Sequence, residues 1–380
     1  MKLYEFEAAD VLRAQGIPFP EYTVAATPAE ARRAATKIGL PVVIKAQVLA
    51  GGRGLAGGVQ TAETLDEVEK TAGRMLGSRV KGLPVECLVV AGRVAVAKEI
   101  YLGITVDGYL GMPVAILSTA GGVSIEEIAA KSPELITSRP VSIAAGLTLP
   151  EAEQIVREAA LTGNEARAIA GNLYSLYRAF RQNDALLAEI NPLARTPQGD
   201  YIALDARVEL DDSALYRHPE FQNKYQERIS NLLEKKGRDI GVTYVDLEGE
   251  ISIIASGAGL GMATMDIISQ KLRPANFLET GGAISAELLY QVMGLVMQKQ
   301  NLKGLFINLY GGINPIHEGA KGIVRYLEEH PTPIPIVARA LGNRQEETWE
   351  ILKSGGITVV PKVATEKAVA ELVRLLEASA

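Results

Sequence analysis

Residues 186–212 read LLAEINPLARTPQGDYIALDARVELDD. Apolar and polar residues alternate on either side of RTPQGD, and Pro197 and Gly199 are turn formers. The segment therefore predicts two strands joined by a hairpin. Alternate side chains of a strand share a face, so Glu189, Asn191 and Leu193 line one face of the first strand. Tyr201, Ala203, Asp205 and Arg207 line one face of the second. Antiparallel pairing lets Glu189, Asn191 and Asp205 converge. Two carboxylates and an amide oxygen are hard ligands that suit Mg²⁺, particularly when phosphate oxygens complete its octahedron. A capped polar hairpin with no ion bound has the same pattern, so a second feature is needed to separate the two.

That feature is PVVIKAQVLAGGRGLAGGVQ, residues 41–60. Lys45 sits inside a predicted apolar strand between Ile44 and Ala46, so its charge must find a partner or reach solvent. The glycines behind it, Gly52 and Gly54 among them, allow close backbone approach and turn N–H groups towards an anion. Arg53 adds a fork suited to phosphate. An edge lysine beside a mobile hairpin is the other reading of this stretch alone. It contains neither the GxxxxGK[ST] phosphate loop nor the GxGxxG dinucleotide pattern. Taken with the hairpin, Lys45 and the glycine loop point to a Mg-nucleotide site. Glu99 closes an apolar strand, where it either accepts from a ribose hydroxyl or faces solvent.

The remaining pattern divides the chain. TPAEARRAATKIG (27–39) has an N-cap threonine, a first-turn proline and a terminal glycine, which predicts a helix. Residues 211–242 are polar and largely helical or irregular, as a connector would be. From about residue 243 the pattern becomes strand, glycine turn, helix, with strands that are continuous apolar runs. Such runs predict a parallel sheet covered on both faces. The length of 380 residues suggests two or three domains. A formal net charge of -6 gives no broad positive field for nucleic acid. No apolar run reaches the roughly 18 residues of a membrane span. The first residues, MKLYEFEAADVLRAQG, are charged and amphipathic rather than a secretory leader. The single cysteine, Cys87, excludes an internal disulfide and reads as a buried strand thiol. A cytoplasmic protein that binds neither nucleic acid nor membrane is expected.

The pieces KAQVLAGGRGLAGG, AKEIYLG, STAGGVSIEEIA, AEINPLA, SGAGLGMATMD, PANFLETGG and FINLYGGI occur in an order that resembles the β subunits of succinate–CoA ligases over nearly the whole chain. The resemblance implies an α/β protein: an α+β ATP-grasp module at 1–235, then a flavodoxin-like, doubly wound CoA-ligase domain at 236–380. It implies an ADP-forming acid–thiol ligase of the tricarboxylic acid cycle that uses ATP or ADP with Mg²⁺. Lys45, Gly52, Arg53 and Gly54 match phosphate contacts, Glu99 a ribose contact, and Asn191 and Asp205 the metal ligands. Glu189 matches a catalytic carboxylate that helps hold a travelling phosphohistidine. Ser256, Gly257, Gly311, Gly312, Ile313 and Asn314 match loops that cradle a phosphate and the carboxylate substrate. Pro20 matches a position where ATP-using members tend to carry proline. The resemblance also implies a partner, a CoA-binding α subunit carrying the phosphohistidine, in an αβ or α2β2 assembly.

The chain's own histidines agree with a partner-supplied nucleophile. His218 lies in the connector and His330 ends a helix, whereas His317 follows a probable parallel strand but lacks a glycine-rich histidine loop. His317 reads as a structural or capping residue or as a direct substrate contact. The chain departs from the family pattern at Leu55, where a second basic residue is usual, and at Ala120, Ser256, Glu279 and Ala283. These departures keep alternatives in view: a related malate- or citrate-CoA ligase subunit, a weakly active nucleotide-binding paralogue, or a passive nucleotide-binding scaffold.

Overall fold

Side-chain caps start many of the helices. Thr27, Thr64, Ser124 and Thr148 each accept a backbone N–H from the first turn of the helix they precede. The computed structural model describes residues 1–229, 231–282, 284–361 and 364–378. Contacts divide the chain into two units, Met1–Gln222 and Asn223–Ala380.

The first unit opens with α1 (Glu5–Arg13), β1 (Tyr22–Ala25), α2 (Pro28–Ile38), β2 (Val42–Ala46), β3 (Val59–Ala62), α3 (Leu65–Met75), β4 (Arg79–Val80), β5 (Leu83–Pro84) and β6 (Leu88–Gly92). β1, β6, β2 and β3 form an antiparallel sheet in that order. Val42, Ile44 and Ala46 of β2 pack with Ala31 and Ala35 of α2 and Val68 and Ala72 of α3. Lys45 therefore projects from the opposite face of β2.

The unit continues with β7 (Lys98–Asp107), β8 (Met112–Ser118), α4 (Ile125–Lys131), β9 (Ile136–Pro140), α5 (Leu149–Glu158), α6 (Gly163–Gln182), β10 (Ala185–Arg195), β11 (Tyr201–Ala203) and β12 (Ala206–Leu210). The second sheet runs β11-β10-β7-β8-β9, and β12 also pairs with β10. The hairpin forms, but its return limb is two strands rather than one. The Leu204 carbonyl turns away to accept from Lys45, and Asp205 Oδ1 accepts from the next backbone N–H, that of Ala206, at 2.8 Å.

The second unit takes in α7 (Pro219–Glu227) only in part, at its border, then holds α8 (Leu232–Ile240), β13 (Thr243–Asp246), β14 (Ile251–Ala255), α9 (Ala258–Ser269), β15 (Asn276–Glu279), α10 (Ala286–Val296), β16 (Gly304–Gly311), α11 (Ile316–Glu329), β17 (Ile336–Gly342), α12 (Gln345–Ser354), β18 (Thr358–Val359) and α13 (Thr365–Ala378). Its sheet order is β13-β15-β14-β16-β17-β18. From β15 onward the strands are parallel, in the 2-1-3-4-5 order of a flavodoxin-like sheet. β13 departs from the expected all-parallel sheet by adding antiparallel to the β15 edge.

The apolar runs are explained by burial on both faces. Ile254, Ile307 and Ala338 pack under α10, α11 and α12, while Ile253, Phe306 and Val337 pack under α9 and α13. Among the described residues no helix is long and apolar enough to cross a membrane.

Candidate functional site

Lys45 is largely buried. Its ammonium donates to Glu5 Oε1 at 2.7 Å and to the Leu204 carbonyl. Arg53, in the glycine loop, is also buried: Nη2 lies 2.8 Å from both Glu5 Oε2 and Asp205 Oδ1, and Nη1 donates to the Ala46 carbonyl at 3.0 Å. Gln47 Nε2 completes the set by donating to Glu5 Oε2 at 3.2 Å. The predicted phosphate fork is thus held by two carboxylates, and the predicted edge lysine is internally paired. Gly51–Gly58 turns back at Arg53, whose carbonyl accepts from Gly58 at 2.9 Å, while Gly54 accepts from Gly57 at 3.2 Å. The loop leaves Leu55 99% exposed.

Charge balance explains the titration of this cluster. Burial works against ionisation of Glu5, but Lys45 and Arg53 outweigh it and hold the carboxyl below its usual range. Burial and then the Glu5 charge push Asp205 upward, with Arg53 and Lys45 opposing. The Asp205 side chain still keeps 43% of its accessibility, so it lines an opening rather than sealed core.

Glu5 escaped the sequence reading, although a signal for it was present. It falls on the stripe Glu5, Ala8, Ala9 and Leu12 of α1, and all four are buried. A carboxylate on an apolar stripe requires a buried partner.

Asn191 and Glu99 meet at a different loop. The Asn191 side chain accepts from Gly122 N and donates to the Val123 carbonyl, both at 2.9 Å. The Glu99 carboxylate lies so close to Gly122 that a Cβ there would fall 2.2 Å from Oε2. With φ at +77°, Gly122 suits this position on both counts. Ala120, one of the departures, donates its N–H to Ser118 Oγ at 3.2 Å and uses no side-chain chemistry to hold the loop.

Glu189 lies near the Asn191 side chain, which favours its charged form. Burial is the main reason its carboxyl is pushed up, with Asp205 and Glu126 adding to it and Arg207 opposing. Glu189, Asn191 and Asp205 are therefore neighbours, as the hairpin predicted, and the Asn191 N–H also bonds the Asp205 carbonyl at 3.2 Å.

These donors fit Mg²⁺. Among the described residues no group of three or more His, Cys, Asp or Glu is placed to hold a metal, so a cation here relies on few protein ligands. Mg²⁺ commonly takes one or two carboxylates and draws the rest from phosphate and water. Both bonds to the Asp205 carboxylate fall on Oδ1, which leaves Oδ2 for a ligand. The Asn191 carbonyl oxygen keeps one lone pair after bonding Gly122. A cation would also relieve the upward pressure on Asp205 and Glu189.

In the second unit the predicted loops gather at the carboxyl edge of the sheet, at the β14/β16 switch point. Ser256 Oγ accepts from Tyr310 N at 2.6 Å and donates to the Tyr310 carbonyl at 3.0 Å. Asn314 Nδ2 donates to the Gly282 carbonyl, and Asn343 Nδ2 to the Ile313 carbonyl at 3.0 Å. Gly311 is required by space, since a Cβ there would lie 2.6 Å from Asn314 O. Gly257 starts α9, and Gly312 and Ile313 form the exposed turn before α11. Glu279, another departure, accepts from Thr243 Oγ1 and from Gly281 N, each at 2.8 Å. Ala283 lies outside the described residues. His317 is buried in the first turn of α11, with Nε2 3.0 Å from Arg344 Nη1 and 3.1 Å from Glu318 Oε1.

The comparisons with known proteins follow the same two-part plan. Residues 2–195 match the ATP-grasp domain family and residues 254–373 the CoA-ligase family. The chain is 41% identical to the β subunit of the GDP-forming succinate–CoA ligase of Thermus thermophilus, covering 98% of this chain and 99% of the relative. It is 41% identical to the ADP-forming β subunit of Roseiflexus sp. (strain RS-1), covering 97% and 98%. It is 39% identical to that of Ignicoccus hospitalis, over 100% of both chains. In fold it is similar to ATP citrate lyase from Methanothrix soehngenii, with a TM-score of 0.78 and 18% identity over 98% of this chain and 99% of that one. With two family matches in sequence order and about 40% identity along the entire length of these relatives, the chain belongs to the succinate–CoA ligase β-subunit family.

Proposed function

We propose that this chain is the nucleotide-binding β subunit of an ADP-forming succinate–CoA ligase, working with an α subunit that binds CoA and carries the phosphohistidine. The observation that carries the reading is the end-to-end identity to succinate–CoA ligase β subunits. Lys45 and the Gly52–Arg53–Gly54 turn hold the nucleotide phosphates, Glu99 the ribose, and Asn191 and Asp205 the Mg²⁺. The metal would supply charge neutralisation for the phosphoryl oxygens.

The protein's own groups then have separate tasks. Arg53 favours the charged form of Asp205 and aims it, because its guanidinium bonds Oδ1. Asn191 fixes the 122–123 backbone beside Glu99. Glu189, whose carboxyl is pushed up by burial, accepts a hydrogen bond from the incoming phosphohistidine of the partner. Keeping the phosphoryl group covalently attached, from nucleotide to histidine to acyl phosphate, couples its transfer to thioester formation. In the second unit, Ser256, Gly257 and Gly311–Asn314 offer backbone N–H groups to the phosphate and the carboxylate substrate. Exposed Met262, Tyr310 and Ile313 are the apolar contacts offered to the α subunit. A cytoplasmic location suits its free Cys87.

The test is co-purification with the α subunit, followed by CoA-thioester formation from succinate, malate and citrate with ATP or GTP. Succinate should give the highest kcat/KM, and ATP should exceed GTP. A tenfold preference for malate or citrate would overturn the substrate. Nucleotide binding with no partner-dependent phosphohistidine would overturn the ligase reading.

A further inference from the structure

The cations nominally offered to phosphate in the first unit are already balanced. Lys45 and Arg53 face Glu5 and Asp205, two positive groups against two negative ones. The exposed tip of the glycine loop carries Leu55, which adds no charge. A Mg-nucleotide complex remains anionic, so a cluster whose cations are already paired with carboxylates lacks the surplus that would hold it.

The surplus comes from the hairpin β4–β5. Its two-residue turn is Lys81-Gly82, with φ of +51° and +79°, both in the left-handed region. A non-glycine residue in that region is uncommon and favours a tight hairpin of the type I′ class. The turn packs on the glycine loop, since a Cβ at Gly58 would lie 3.2 Å from Val80 Cγ1. The Lys81 ammonium reaches over Gly52 and would sit 2.9 Å from a Cβ built there. Gly52 itself has a φ of +69°. Lys81 is exposed, and no carboxylate among the described residues pairs with it, unlike Lys45 and Arg53.

We propose that Lys81 is a phosphate-binding residue of the nucleotide site, supplying from the β4–β5 turn the unbalanced positive charge that the glycine loop lacks. This rests on the nucleotide-site reading above. Lys81 then acts on the outer phosphates and leaves the nucleoside alone.

The experiment is isothermal titration of the full chain with Mg-ATP and with AMP, for the wild type, Lys81→Gln and Lys81→Arg, each checked for an unchanged urea midpoint. Loss of one charge-assisted contact predicts about tenfold weaker Mg-ATP binding for Lys81→Gln. AMP binding should be unaltered, and Lys81→Arg should stay within about threefold of wild type. Mg-ATP affinity unchanged in Lys81→Gln overturns the assignment. So does an equal loss for AMP, or a failure of arginine to restore binding, since either marks a turn residue rather than a phosphate contact. A wild-type chain that binds no Mg-ATP overturns the nucleotide site as well, which separates that failure from one confined to Lys81.

Discussion

The two candidate regions meet negative charge in opposite ways. In the first unit, four ionisable side chains, Glu5, Lys45, Arg53 and Asp205, are joined in one largely buried network. In the second, the neutral side chains Ser256, Asn314 and Asn343 tie the loops after β14, β16 and β17, with Arg344, His317 and Glu318 alongside at the starts of α11 and α12. The helices that follow those three strands, α9, α11 and α12, begin at Gly257, Pro315 and Arg344 without a side-chain cap. α10, on the same sheet edge, is capped by Ser285, and α8 by Asn231. The first region therefore presents paired charges that the proposed phosphate would have to redistribute. The second presents the first-turn backbone N–H groups of three helices that lack a side-chain cap. Substitutions should be costly in the first and mild in the second.

The largest effect is expected at Asp205. Alanine there removes a proposed metal ligand and half of the anionic partner set of Arg53. Arg53 keeps Glu5 as a partner and Asp205 is part-exposed, so the loss falls on the proposed metal site more than on the fold. Partner-dependent thioester formation should fall at least about a hundredfold in kcat/KM. A near-wild-type rate for Asp205→Ala would show that the metal is held elsewhere.

Glu5 comes next, and its effect is on stability. Its removal leaves Lys45 and Arg53 sharing Asp205 alone, and Glu5→Ala should lose about 3–5 kcal/mol of unfolding free energy. The sign with pH follows from its lowered carboxyl. A depressed acid stabilises the fold fully above its unfolded value, near 4.5, and loses that contribution as pH falls through the folded one. The wild-type urea midpoint should hold from pH 7 to about 5 and drop below that. Glu5→Gln should start lower at pH 7 and show a shallower acid limb. An equally steep acid limb in both proteins would place the acid sensitivity outside this network.

These two residues also show what could be read in the chain. The strands at 251–255 and 304–309 announced burial on both faces through unbroken apolar runs, and the structure buries both. Thr27 and Pro28 marked a helix start that forms as written. The Glu189–Asn191–Asp205 grouping followed from strand alternation, a local rule. The partners of Lys45 and Arg53 did not, because Glu5 arrives from a helix 40 residues earlier and Asp205 lies 152 residues beyond Arg53. Local spacing holds no record of which helix docks on which strand. The antiparallel placement of β13 was missed for a similar reason: its pairing with β15 crosses the whole of β14 and α9. Only the position of Glu5 on an apolar stripe hinted at a buried counter-charge.

The smallest effect is expected at Ser256, and it tests the comparison from the neutral side. Its hydroxyl bonds both the N–H and the carbonyl of Tyr310, so it ties the β14 loop to the β16 loop. Neither partner is charged, and a neutral hydrogen bond contributes about 0.5–1.5 kcal/mol. Ser256→Ala should lower unfolding free energy by about 1 kcal/mol and the thioester rate by no more than about threefold. The anion contacts proposed for this region are backbone N–H donors, and alanine leaves them in place. A hundredfold rate loss with only the small stability change would mean that the hydroxyl itself meets the transferred group. The second region would then depend on a side chain as strongly as the first, and the contrast between them would fail.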